Sequence, residues 1–107
     1  MGQDIKLTAS DGFKLGGYRA DPAGAPKAAI VVIQEIFGVN HHIRSVCDRL
    51  AAEGYVAIAP AIFDRIQPDF QCGYSPDEIA NALRDRVRFR AARQDVNFYA
   101  TPAPNAR

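Results

Sequence analysis

At 107 residues, 48% hydrophobic and 23% charged, the chain has the make-up of one soluble globular domain, which excludes a disordered or fibrous segment. Thirteen basic against twelve acidic residues leave a formal charge of +1, so no general field exists for gripping nucleic acid or an anionic membrane. Neither nucleic acid nor membrane is therefore expected as a partner.

The start, Met1-Gly2-Gln3-Asp4, lacks the basic and apolar regions of a secretory signal, and Lys6 stands where a myristoylation signal wants Ser or Thr. The longest apolar run, Ala28 to Ile33, falls far short of the roughly 20 residues a membrane span needs. Cys47 and Cys72 lie in unlike contexts and form no C-x-x-C pair, so neither a disulfide framework nor a zinc site is suggested. A cytoplasmic, reducing location is the expectation, with no metal and no cofactor.

In chain order, Ile5 to Ala9 alternates, Ser10-Asp11-Gly12 signals a turn, and Lys14 to Arg19 returns, which predicts a β-hairpin. Asp21 to Pro26 is a loop by composition. Ala28 to Ile33 is apolar throughout, the pattern of a strand covered on both faces of a parallel sheet. From Asn40 the period becomes helical: Ile43, Val46, Cys47 and Leu50 share a face, Asn40 can cap the start and Gly54 can stop the end. Tyr55 to Ala59 is a further apolar strand closed by Pro60, completing a strand, helix, strand unit.

Pro60 to Tyr74 reads as a long surface loop. Ser75 as cap, Pro76 at the first helical position and Glu78 three residues after the cap announce another helix, with Ile79, Leu83 and Val87 as its apolar stripe. Arg84, Arg86, Arg88, Arg90 and Arg93 then wrap charge around any helix, which predicts fraying there. The domain is expected to span residues 1–95, and 96–107, rich in proline and small residues, to be a disordered tail.

Glu35 is the residue a purely structural reading explains least well, since it follows six apolar positions apart from Gln34. Open α/β sheets place ligands beyond the carboxyl ends of their strands, which is where Glu35 and Ile36 to Asn40 should lie. A strand simply leaving for water would also end on a charge.

The heptapeptide Gln34-Glu35-Ile36-Phe37-Gly38-Val39-Asn40, the helix ending at Gly54-Tyr55, the strand ending at Ala59-Pro60, Phe63-Asp64-Arg65 and Gly73-Tyr74-Ser75-Pro76-Asp77 together resemble the N-terminal part of dienelactone hydrolases, also called carboxymethylenebutenolidases. The resemblance runs from about Ile5 to Leu83. It implies part of an α/β-hydrolase fold, a hairpin then a βαβ unit with a further helix, in an incomplete sheet. It also implies a small-molecule lactone or ester as substrate and a cysteine nucleophile aided by histidine and aspartate. Glu35 would help deprotonate that thiol, whose thiolate is the reactive form. The Ile36 backbone N–H would be an oxyanion-hole donor, and Arg84 would hold a substrate carboxylate, against the alternative of a solvated charge run.

The departure from the pattern lies in the nucleophile. The fold carries it on a G-x-C-x-G or G-x-S-x-G elbow, followed by an acid and a histidine, and no such elbow occurs in the 107 residues. Cys72 has Phe70 two positions before it and no apolar strand feeding it, while Cys47 sits on the apolar stripe of its helix as a core residue would. His41 and His42 lack ligand spacing and read as helix-entry residues. The expectation is therefore a hydrolase-family chain truncated before its elbow and inactive alone, with self-association through uncovered sheet faces. The alternative is a small non-catalytic binding or oligomerising module built on the same βαβ core.

Overall fold

The computed structural model describes residues 2–95. Its elements are β1 (Gly2–Thr8), β2 (Lys14–Ala20), β3 (Ala28–Val31), α1 (His41–Ala52), β4 (Tyr55–Pro60), a single 3-10 turn (Ile62–Arg65) and α2 (Pro76–Asp95). They form a four-stranded mixed sheet of order β1-β2-β4-β3, with β1–β2 and β2–β4 antiparallel and β3–β4 parallel. This is an incomplete α/β domain. No helix among the described residues is long and apolar enough to cross a membrane.

The hairpin closes where the sequence places its turn. Ala9 N–H donates to Phe13 O at 2.8 Å, and the Asp11 side chain accepts from Phe13 N–H at 3.1 Å. Gly12 takes a positive φ of 89°, open to glycine without strain.

Helix α1 starts on Asn40, whose Oδ1 accepts from Ile43 N–H at 3.2 Å, so an otherwise orphaned first-turn donor is satisfied. Its buried face, Ile43, Cys47 and Ala51, packs on Tyr18, Ala20, Ala57 and Ala59 of β2 and β4. Small residues on the sheet side let the helix approach closely, and each large aliphatic side chain so buried contributes about 1.5–3 kcal/mol. At the wet margin of this core the Tyr18 hydroxyl donates to Asp48 at 2.8 Å and accepts from Gly2 N–H at 3.1 Å, tying β1, β2 and α1 together. Burial, then the Asp48 carboxylate, pushes the Tyr18 pKa up.

Two expectations need correction. The apolar run Ala28 to Ile33 is not covered on both faces: β3 is an edge strand, and Val31 and Ile33 are 62% and 63% exposed. Exposure alternates, with Val32 and Gln34 turned inward and Val31, Ile33 and Glu35 outward. An all-apolar strand presupposes a packed layer on each face, and among the described residues the core packs only against the Val32 side.

The second correction concerns α2. It runs to Asp95 instead of fraying near Arg84, and among its described side chains the fully buried one is Ala82, while Leu83 is 44% exposed. The helix packs against the 3-10 turn, and a methyl side chain suits that close contact better than leucine. The Val87 side chain and the expected tail lie outside what the structure describes.

Candidate functional site

The strand exit after β3 is locked by a buried amide. Val32 N–H still donates to Ile58 O at 2.8 Å, and Gln34, 8% exposed, then turns inward. Its Oε1 accepts from Ile62 N–H at 3.0 Å, and its Nε2 donates to Glu35 O at 3.0 Å. The carboxyl ends of β3 and β4 are thereby held together by one side chain, and a buried polar group of this kind is stable only because both of its ends are bonded.

Glu35 to Gly38 forms a tight turn, with Gly38 N–H donating to Glu35 O at 3.1 Å. Gly38 has φ of 81°, and a Cβ there would run into the carbonyl of Phe70. Glycine is thus required twice, by conformation and by space.

The loop is also fastened to the segment that leads into α2. Cys72 N–H donates to Phe37 O at 3.0 Å, and Gly38 bridges to Gln71. The Phe37 and Tyr74 rings meet edge to face at 4.4 Å. Asn40 Nδ2 donates to Cys72 O at 3.2 Å and to the Tyr74 hydroxyl at 3.3 Å.

This second wall is itself anchored. Asp64, 6% exposed, accepts from Gly16 N–H at 2.6 Å and from Asp69 N–H at 2.9 Å. Arg65 pairs with Asp11 at 2.9 Å and stacks 4.5 Å above the Phe13 ring, and its hydrogen bond holds the Asp11 pKa below its ordinary value. Ser75 and Glu78 form the capping pair expected: Ser75 Oγ donates to Glu78 Oε1 at 2.7 Å and accepts from Glu78 N–H at 3.2 Å. Glu78 Oε2 accepts from Gly73 N–H at 2.8 Å, which, with the Ser75 bond second, lowers the Glu78 pKa.

Glu35 and Ile36 therefore sit together at the carboxyl end of β3, on a turn braced on both sides. The Glu35 side chain is exposed, Ile36 is half-buried, and neither the Glu35 carboxylate nor the Ile36 N–H has a bonding partner among the described residues. Arg84 is not brought to them: it is exposed on α2, and its guanidinium donates to Asn81 one turn back. His41 and His42 are exposed in the first turn of α1, and no group of three metal-ligating side chains occurs among the described residues.

Cys47 is fully buried, and burial raises its pKa, the opposite of what a nucleophilic thiol needs. Cys72 is half-buried, its Sγ 3.6 Å from Glu78 O. A cleft of about 440 Å³ opens beside the turn, walled by Ile5 and Lys6 of β1, Val39, Arg44 and Asp69 to Gln71. Glu35 and Ile36 do not line it.

Sequence reasoning did not single out Gln34 and Asp64 as structural residues. Gln34 carried a signal, a polar side chain directly after an apolar strand. Asp64 stood in one of the resembling segments, but its anchoring role left no local pattern, because its partner Gly16 is 48 residues away.

The family model described as the dienelactone hydrolase family matches residues 15–101. A Synechocystis protein provisionally named carboxymethylenebutenolidase is 41% identical over 100% of this chain and 48% of its own length. A Yersinia pestis protein of the same provisional name is 39% identical over 85% of this chain and 34% of its own. Among solved structures, a provisionally assigned dienelactone hydrolase from Klebsiella pneumoniae superposes with a TM-score of 0.57 at 29% identity, covering 86% of this chain and 43% of that one.

The likeness thus extends past Leu83, through the arginine-rich part of α2, and the chain spans about half the length of the Synechocystis relative. A family model matched over most of the chain, a braced Gln34 to Asn40 turn at the carboxyl ends of parallel strands and a matching solved fold lead to one conclusion: the chain belongs to the dienelactone hydrolase family.

Proposed function

We propose that this chain carries the carboxylate and oxyanion-donor part of a site that opens lactones or cleaves esters, and that it is inactive alone. The supporting observation is the Glu35 to Gly38 turn, which presents a solvent-facing carboxylate and an unbonded Ile36 N–H from a backbone fastened to both neighbouring segments. A fixed N–H aimed at developing negative charge stabilises a tetrahedral transition state without reorganisation. A nearby carboxylate that takes a thiol proton makes the reactive thiolate.

Both groups serve a nucleophile that the 107 residues do not provide, since Cys47 is buried in the core and no elbow motif occurs. Arg84 is the candidate clamp for a substrate carboxylate, and to serve it the guanidinium would exchange its bond to Asn81 for the substrate. The substrate is a small lactone or ester, and the setting is cytoplasmic.

A chimera tests the assignment of Glu35. Residues of this chain replace the matching part of the Synechocystis relative, and dienelactone opening is followed by absorbance with the unmodified relative as control. The expected result is turnover that falls about 100-fold or more with Glu35→Gln, the range general-base contributions span. An active chimera indifferent to that substitution would remove Glu35 from the reaction.

A further inference from the structure

We propose that Gln34 is a positioning residue for the Ile36 N–H: by holding the Glu35 carbonyl from behind, it fixes the peptide plane that carries this donor. The proposal rests on the reading of Ile36 as an oxyanion donor and adds what aims it.

One rigid unit links the two groups. The Glu35 carbonyl and the Ile36 N–H belong to the same planar peptide, and since no peptide bond among the described residues is cis, they point in opposite directions. Whatever holds the oxygen therefore sets the direction of the N–H. That oxygen accepts twice, from Gln34 Nε2 at 3.0 Å and from Gly38 N–H at 3.1 Å. On the other flank Phe37 O accepts from Cys72 N–H at 3.0 Å. The carbonyls of Glu35 and Phe37 are thus bonded, while the Ile36 N–H between them has no bonding partner among the described residues.

Gln34 differs from Gly38 in being anchored outside the turn. The Gly38 N–H belongs to the turn and moves with it. Gln34 Oε1 accepts from Ile62 N–H at 3.0 Å, 28 residues on, so the amide braces the peptide against the 3-10 turn that follows β4. At 8% exposure the side chain is shielded from water, and losing either bond leaves a buried group unpaired. An amide suits the task because it accepts at one atom and donates at the other. A carboxylate here would accept from Ile62 but repel the Glu35 oxygen. A donor aimed in advance needs no reorganisation when charge develops on the substrate oxygen, an advantage lost if the peptide swings.

The test reads the peptide and the reaction separately. In the full 107-residue chain, NMR relaxation gives the order parameter of the Ile36 amide, expected in the rigid range of about 0.85. Gln34→Met retains the side-chain length without either bond, and should lower that value to about 0.7 or below, the Gly38 bond remaining. Ile62→Pro removes the N–H that anchors Oε1, at the first residue of the 3-10 turn where proline is tolerated, and should lower it by less. In the chimera with the Synechocystis relative, Gln34→Met should reduce kcat about tenfold with KM within about twofold, a smaller loss than the roughly 100-fold or more that follows removal of an oxyanion donor. The midpoints of the pH profile of kcat/KM should stay in place.

An Ile36 amide equally ordered in both variants overturns the proposal and leaves the Ile36 reading standing. So does a displaced pH midpoint, which would mean that Gln34 acts on the Glu35 carboxylate instead. A loosened amide with kcat unchanged overturns the oxyanion reading itself, and the proposal with it.

Discussion

Asn40 donates its side-chain amide to the Cys72 carbonyl at 3.2 Å while its Oδ1 caps α1 through Ile43 N–H at 3.2 Å. One buried side chain thus fixes the helix start and the far wall of the Glu35 turn. The two tasks are separable by substitution. Asn40→Ser retains an acceptor for the cap and loses the donor to Cys72 and Tyr74; Asn40→Ala loses both. In denaturant unfolding, Asn40→Ala is expected to cost about 2–3 kcal/mol, combining a lost cap with unpaired buried groups, and Asn40→Ser about 1 kcal/mol less than that. Equal losses would mean that the cap contributes nothing.

Gly38→Ala is expected to be among the most damaging small substitutions in the chain. The positive φ of 81° and the Phe70 carbonyl leave no room for a methyl group, so the turn must open. The direct readout is the amide resonances of Ile36 and Cys72, which should both shift, with stability falling by about 2 kcal/mol or more. An unshifted Cys72 amide would show that the loop is not held as described.

Glu78 gives a pH dependence of definite sign. Hydrogen bonds from Gly73 N–H and then Ser75 lower its folded pKa. A carboxylate whose folded pKa is depressed stabilises above its unfolded value, near 4.3, and that contribution is lost as pH falls through the lower folded value. The Gly73 amide should therefore titrate with a midpoint below that of a free glutamate. Glu78→Gln should flatten the acid limb of the stability profile in the same range, and a Gly73 amide that does not respond to acid would contradict the hydrogen bond.

Tyr18→Phe removes the hydroxyl between Asp48 and Gly2 N–H without altering the ring beneath Arg44. Thermal unfolding should show a loss of about 1–2 kcal/mol, characteristic of partners left unpaired. Asp48→Asn, which retains an acceptor for the hydroxyl, should cost less.

What could be read in the sequence was local. The Asp11-Gly12 turn, the Asn40 cap and the Ser75–Glu78 pair each join residues within a few positions, so their patterns are written in neighbouring letters. The position of Glu35 at a strand's carboxyl end followed from an apolar run meeting a charge. What stayed hidden depended on distant partners: Gln34 bonds Ile62 across 28 residues and Asp64 bonds Gly16 across 48. Leu83 was expected inside on periodicity alone, but the surface α2 meets selects Ala82 instead. The all-apolar β3 pattern presupposes a layer over each face, and among the described residues none packs over the face of Val31 and Ile33, so their exposure was misjudged.

On the proposed function, this chain supplies a carboxylate and an oxyanion donor but no nucleophile. Assaying the purified 107-residue chain for dienelactone opening tests this directly. No rate above the uncatalysed reaction is expected, whereas turnover abolished by Glu35→Ala would show that a working nucleophile is present and contradict it.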